Sequence, residues 1–326
     1  MKSYVDLHRT FAADIETEVT ATLARLGPAA PSVHGAVGEL LRHQRMKYPL
    51  SVLPLVVHGA ETGSPAPALP LSAVHVLWWA SACYLDDLAD GDATRTPSGL
   101  GVHEALLAAI VAGHVLPLKA LESPHVPTRV RGALAEEILD CAIIAGEGQL
   151  DDIRADMETM SRDSVVAAYR GKSGAPFGMI TAMAGRLAGA DDERTDLWRE
   201  FGYVFGVLWQ LFNDQEDITS GRNEDLLNGT VTYLLMCAVR EASPEARKRI
   251  LELHSAARTS AASGAALADL LLAPSVLARY ERDIAEFRDD AYRILDKLGG
   301  DETHLSMLRR LVDQASGLYL RSPSAP

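Results

Sequence analysis

Apolar residues recur at i, i+3, i+4 and i+7 through nearly the whole chain, and alternating strand-like runs are scarce. This period constrains the fold more than any other feature. A repeat near 3.6 puts one side-chain face on a helix, whereas a sheet needs a repeat of two. Pro and Gly interrupt the pattern at 27–31, 62–70, 91–101, 123–127, 189–193, 220–229 and 299–300, which leaves roughly ten to twelve helices. No linker is long enough to divide the chain and no repeat period is visible. The expectation is one all-α bundle over residues 1–320, with functional groups pointing into its core and residues 321–326 as a frayed tail.

The chain has 326 residues, 48% hydrophobic and 23% charged, enough to bury a sizeable core. Lys plus Arg total 31 against 44 Asp plus Glu, a net charge of -13. Such a surface repels nucleic acid and anionic lipid, so no polynucleotide partner is expected. It also repels a free diphosphate, so an anionic substrate needs clustered cations or a bound divalent metal. Cys83, Cys141 and Cys237 lie far apart in apolar stretches and read as core thiols, not a disulfide or zinc framework. The N-terminal stretch lacks an apolar signal-peptide core. The apolar run Leu50 to Val57 is too short to span a membrane, so no span is expected and the location is expected to be cytoplasmic.

Two acidic clusters carry the chemistry. An apolar helix beginning at Pro70 ends in Asp86-Asp87-Leu88-Ala89-Asp90. Asp86 and Asp90 are i, i+4 neighbours with Cβ atoms about 5–6 Å apart. Carboxylates at a helix C-terminus repel one another and oppose the macrodipole, unless a cation sits among them. Oxygen ligands without His or Cys point to Mg²⁺, with Mn²⁺ as a substitute, and not to Zn²⁺. The second cluster, Gln210-Leu211-Phe212-Asn213-Asp214-Gln215-Glu216-Asp217, also closes an apolar, aromatic helix. One acidic helix end is commonly a solvated cap. Two, each closing an unusually apolar helix, read as halves of one metal site at the mouth of an apolar cavity.

At these residues the chain resembles the class I trans-prenyl diphosphate synthase and terpene synthase superfamily. Asp86 to Asp90 is similar to its DDxxD motif, and Gln210 to Asp217 to its second motif, QxxDDxxD, with Asn213 in place of the first Asp. Between them, Gly148-Gln149-Leu150-Asp151-Asp152 resembles the family's GQxxD helix. Tyr169 to Phe177, YRGKSGAPF, resembles its KTGALF segment. The likeness covers roughly Leu40 to Leu235, and the order of four motifs is more specific than any one. It implies an isoprenoid-synthase bundle with a central cavity, acting as a homodimer on an allylic prenyl diphosphate of C10 to C20. It further implies Asp86 and Asp90 as ligands of two Mg²⁺ ions, and Asn213 with Asp217 as ligands of a third. Asp87 and Asp214 complete the catalytic carboxylates, and Lys172, Arg222, Gln149 and Gln210 are expected near the diphosphate.

The departures concern the second substrate. Chain-elongating members carry GGKRxRP before the first motif, which grips isopentenyl diphosphate. Here that stretch is His43-Gln44-Arg45-Met46-Lys47-Tyr48-Pro49, so both arginines are replaced, by Met46 and Tyr48. Arg45 and Lys47 keep charge without the bidentate fork. The Arg pair after DDxxD is Arg95-Thr96, and the Lys after Gly229 is Thr230. Asn213-Asp214 begins like the cyclase NDxxSxxxE motif, although the cyclase Glu position is Gly221. The first expectation is therefore an enzyme that ionises an allylic diphosphate and passes the cation to itself, as in a terpene synthase, or to an acceptor other than isopentenyl diphosphate. The alternative is a chain-elongating prenyltransferase with a rearranged basic site built from Arg42, Arg45, Lys47 and Arg95. A third reading is a non-catalytic subunit of a heteromeric synthase. Going back along the helix from Asp86, Ala82 leaves room for a growing chain and Trp78 or Trp79 offers a floor, with Phe177, Phe205, Trp209 and Phe212 as candidate walls. For any single ring, ordinary core packing is the simpler reading.

Overall fold

A computed structural model describes residues 3–89, 96–157 and 159–321. The all-α expectation is met: the described residues form sixteen α-helices and no strand. The helix number exceeds the expected one for a physical reason. Single-turn π segments at Val111–Val115 and Arg170–Gly174 each split one continuous rod into two helices. In addition, α11 (Glu224–Asn228) is a five-residue turn inside a loop.

Packing groups the chain into two compact units. The first comprises Met1–Ala142, Gly178–Gly202 and Leu295–Leu311, and the second comprises Ile143–Phe177, Tyr203–Ile294 and Val312–Pro326. In the first unit, α4 (Leu69–Ala89) is surrounded by α1 (Tyr4–Ala24), α5 (Val102–Ile110) and α6 (Leu116–Ala120). Pro70 lies in the first turn of α4, where its missing N–H costs nothing. Leu77 and Tyr84 of α4 pack with Leu23 of α1, Leu40 of α2 (Pro31–His43) and Ala105, Ala108 and Ala112. The small alanines let α5 approach closely, and Gly113 lies against Ser81, whose Oγ would stand 2.3 Å from any Cβ added there.

In the second unit, α12 (Tyr233–Glu241) packs on α8 (Arg162–Tyr169) and α13 (Pro244–Ala257), which in turn lies against α14 (Ala261–Leu271). Ser161, Thr232, Ser243 and Ser260 each cap a helix by accepting a backbone N–H from the first turn. The three cysteines are free thiols.

The sequence reading of membrane spans needs correction. Ala66–Ala89 and Val102–Ala120 are each long and apolar enough to cross a bilayer, and α14 with α15 (Pro274–Leu298) passes only as a pair bent by 65°. The reason differs between the first two. Ala66–Ala89 is apolar because 67% of its window is buried among other helices, whereas Val102–Ala120 is only 39% buried. Leu107, Ile110 and Val115 form an exposed apolar line along the latter segment.

His75 gives α4 a measurable acid sensitivity. Burial holds its pKa down to about 4 from an ordinary 6.5, partly offset by the Leu50 carbonyl. Between those values the unfolded chain binds the extra proton and the folded chain does not. The stability that this neutral ring contributes is complete above pH 6.5 and is lost as pH falls toward 4. Between pH 7 and pH 4, denaturant unfolding should show the wild type losing about 3 kcal/mol more than His75→Leu.

Candidate active site

In the second unit the site is organised by the π turn Arg170–Gly174, which lies between α7 (Thr128–Ile153) and α10 (Asp192–Thr219). A Cβ on Gly148 of α7 would fall 2.3 Å from the backbone nitrogen of Lys172, and one on Gly206 of α10 would fall 2.5 Å from Cα of Gly174. On the other side of the first contact, a Cβ on Gly171 would fall 2.6 Å from Cα of Gly148, whereas one on Gly174 would fall 3.1 Å from the Tyr203 carbonyl. Only glycine permits such backbone approach. The effect is to fix the Lys172 main chain between two helices that both carry acidic residues.

Lys172 Nζ reaches Asp152 Oδ2 of α7 at 2.9 Å. From α10, Gln210 donates to Asp214 Oδ1 at 2.9 Å and accepts from Ser173 Oγ at 2.6 Å. Tyr169 O–H donates to Asp214 Oδ2 at 2.5 Å and accepts from the Tyr233 N–H at 3.0 Å. Burial drives the Asp214 carboxyl above the usual carboxylate range. Bonds from Tyr169 and Gln210 oppose that rise, Asp152 adds to it, and Lys172 opposes it. Asp225 is also raised, first by burial and then by Asp214 and Asp217. One lysine thus stands among several carboxylates whose charge it cannot balance alone.

Asp217 has a second task. Its oxygens accept the backbone N–H groups of Glu224 at 3.0 Å and Asp225 at 3.2 Å, so it caps α11 from outside that helix. Arg222 Nε lies 3.7 Å away and stays half exposed. Asn223 adopts φ 53°, a left-handed conformation that Asn tolerates, to turn the chain into this cap. Asp214 and Asp217 are each only 4% exposed, whereas Asn213 and Gln210 are more open.

In the first unit, α4 is buried from Pro70 to His75 and opens toward its C-terminus, where Trp79, Cys83 and Asp86 form a partly open line with the exposed Ala82 beside it. Trp78 is buried, its ring 5.9 Å from that of His114, so Trp79 and not Trp78 shares the open side with Asp86. Asp87 accepts from Gln44 Nε2 at 3.0 Å, which ties the degenerate basic stretch to the first acidic motif. Arg45 and Lys47 are exposed, and Lys47 Nζ lies 5.3 Å from the centre of the Tyr48 ring. Asp90 and Arg95, both expected in the site, lie outside the described residues. Phe177 belongs to the second unit and is packed edge-on against Phe205 at 5.1 Å. It is 2% exposed, a core contact and not a wall.

Among the described residues no three Asp, Glu, His or Cys side chains converge as a ready metal cage. Mg²⁺ seldom needs one, because it binds through one or two carboxylates together with waters and substrate phosphates. The carboxylates beside Lys172 fit that role: burial first, and neighbouring carboxylates second, raise Asp214 and Asp225, and a cation among them would oppose both effects. Sequence reading did not single out Tyr169, Asp225, Asp152 or Gln44 as site residues. Tyr169, Asp152 and Gln44 lie inside the quoted stretches and Asp225 in the loop after the second motif, but nothing local marks the contacts they make.

Comparison with known proteins decides the family. The polyprenyl synthetase family matches residues 54–270. The chain belongs to that family. A geranylgeranyl diphosphate synthase of Mycobacterium tuberculosis (strain ATCC 25618 / H37Rv) is 28% identical over 232 residues, 67% of this chain and 65% of that protein. The chain thus aligns with somewhat less than two thirds of this relative's length. A solved geranylgeranyl pyrophosphate synthase superposes with a TM-score of 0.83 at 15% identity, covering 99% of this chain and 100% of that one. Another, from Corynebacterium glutamicum, solved with isoprenyl diphosphate and magnesium, gives 0.75 at 19% identity over 94% and 98%. These structures establish the polyprenyl synthetase fold for this chain.

The glycine contact gives a direct test. Gly148→Ala should destabilise the protein by about 1–3 kcal/mol through overpacking against Lys172. Gly146→Ala, two residues earlier with no atom within 4 Å of its added Cβ, should cost far less. Chemical denaturation of the two variants makes the comparison.

Proposed function

We propose that this polyprenyl synthetase family member is a prenyltransferase that condenses an allylic prenyl diphosphate with isopentenyl diphosphate. The family match over residues 54–270 carries the reading, and it favours chain elongation over the cyclase-like activity placed first from sequence. The substrate would be an allylic diphosphate in the C10 to C20 range. Mg²⁺, or Mn²⁺ in its place, would be held by Asp86, Asp90, Asn213 and Asp217 as up to three ions, and would supply the charge that lets diphosphate depart.

The chain's own residues set the conditions for that departure. Lys172 offers a charge-assisted bond to a phosphate oxygen, with Asp152 holding its ammonium in place. Tyr169 and Gln210 fix both oxygens of Asp214, so that carboxylate does not reorganise as charge develops. Arg222 stands at the rim to meet the leaving group, and Gln149 lies on the α7 face that carries Asp152. Ala82, Cys83 and Trp79 would border the path of the prenyl chain, with Trp78 supporting it from behind. Isopentenyl diphosphate would rely on Arg45, Lys47 and Arg95. We further propose a cytoplasmic homodimer, for which the apolar line Leu107, Ile110 and Val115 offers a contact surface.

A second reading keeps one specific observation in its favour. Tyr48 occupies an expected arginine position, with Lys47 against its ring. If that replacement abolishes the isopentenyl site, the cation goes elsewhere, as in a terpene synthase. Incubation of labelled geranyl, farnesyl and geranylgeranyl diphosphates with Mg²⁺, with and without isopentenyl diphosphate, separates the two. A longer diphosphate formed only with isopentenyl diphosphate is the expected result, and a hydrocarbon or alcohol formed without it would overturn the proposal. Asp86→Asn should lower turnover roughly 10²–10³-fold with little loss of stability. Asn213→Asp should retain activity with an altered metal preference. Steady-state rates with Mg²⁺ and Mn²⁺ check both.

A further inference from the structure

Away from the acidic motifs, the second unit carries a cleft of about 880 Å³ whose charged lining is four arginines against two carboxylates. The arginines are Arg162, Arg240, Arg247 and Arg279, and the carboxylates are Asp163 and Glu286. In a chain of net charge -13 this local excess of cations runs against the overall field. We propose that this cleft is a binding site for a diphosphate group, separate from the candidate active site.

Two of the arginines are anchored from beneath. Tyr233 and Asp283 are buried, and the Tyr233 O–H donates to Asp283 Oδ2 at 2.9 Å. Arg162 Nε donates to the Tyr233 oxygen at 2.9 Å, while its guanidinium lies 5.4 Å from the centre of the Phe287 ring. Arg279 Nε donates to Asp283 Oδ2 at 3.1 Å. Arg279 therefore spends its inner nitrogen on the protein, while its partly exposed side chain lines the cleft and carries a fork able to grip phosphoryl oxygens in pairs. Arg162 gives one outer nitrogen to Glu286 at 2.9 Å, an ion pair on the cleft wall that an incoming anion can exchange for itself.

Arg240 and Arg247 stand exposed on α12 and α13 and form no ion pair among the described residues. Two anchored and two open guanidiniums suit an anion with two linked phosphoryl groups better than a single phosphate. The N-terminus of α8 at Ser161 and that of α13 at Pro244 both reach the cleft and add to its positive field. Met160 and Ala242, both partly exposed, contribute apolar surface. The diphosphate can therefore be inorganic diphosphate or the head of a molecule with a hydrocarbon tail.

Binding at this cleft needs neither Mg²⁺ nor turnover, so it is read by calorimetric titration of the full chain with inorganic diphosphate in the presence of EDTA. The expected result is saturable binding of one equivalent. The exposed-residue variant R240Q/R247Q should bind at least about tenfold more weakly, and K172Q should bind as the wild type does. Orthophosphate should bind at least about tenfold more weakly than diphosphate on the same grounds. A farnesyl thiodiphosphate arm assigns the source: tighter binding than inorganic diphosphate points to a tailed ligand, and equal binding to the inorganic ion. Absence of saturable binding overturns the proposal, as does unchanged affinity in R240Q/R247Q, loss of binding in K172Q, or equal affinity for orthophosphate. Because K172Q reports on the candidate active site and R240Q/R247Q on the cleft, failure of one reading is distinguishable from failure of the other.

Discussion

Carboxylates placed where water cannot reach them must lose their charge or share it with a cation, and the second unit is arranged around that requirement. Asp214 lies at the apolar end of α10 with its oxygens held by Tyr169 and Gln210, yet its proton affinity is still raised. Asp225 is raised in the same field, and Lys172 is the ammonium within it. A protein selected only for stability would replace such a cluster by apolar residues, since buried charge is rarely the cheaper solution. On the proposed function the cluster has a use: a metal–diphosphate complex would bring it a cation and an anion together.

That electrostatic arrangement depends on a steric one. The π turn at Arg170–Gly174 brings the Lys172 backbone against α7, and Ser173 and Gly174 against α10, only because Gly148, Gly171 and Gly206 carry no Cβ. Single-turn π bulges are costly in isolation and concentrate at functional sites. Here the bulge is held in place by helix packing, and the side chain it presents is the lysine that reaches Asp152.

The sequence made the fold class legible because a period near 3.6 persists through almost every segment, and the acidic motifs were legible because polar clusters at the ends of apolar helices are conspicuous. Helix breaks caused by π turns were not, since a π turn keeps the chain helical and shows only as a shift of phase in the apolar pattern. Among site residues, Lys172, Asp214 and Gln210 stand together in the second unit. Gln44 and Asp225 could not be foreseen, because their partners Asp87 and Asp217 are reached through the fold and not through spacing. Trp78 and Trp79 show the finer limit. Adjacent residues of one type point about 100° apart on a helix, and only the packing of His114 against Trp78 decides which faces inward. The order of the functional readings changed for a related reason. Met46 and Tyr48 mark what the basic stretch lost, while the family match weighs the whole 54–270 segment.

The π turn also bears on how such a chain can vary through evolution. It is in effect one residue more than a regular α-helical turn, inserted between Tyr169 and Ala175. Deleting any one residue there would restore ordinary helix and rotate α9 (Ala175–Ala188), with everything it carries, by about 100° relative to Tyr169. Phe177 would leave Phe205, and Lys172 or its replacement would leave Asp152. Point substitutions can accumulate on the outer faces of these helices, but the count of residues from Tyr169 to Phe177 is fixed. Lineages descending from such a chain should differ freely in composition along this stretch and hardly at all in its length.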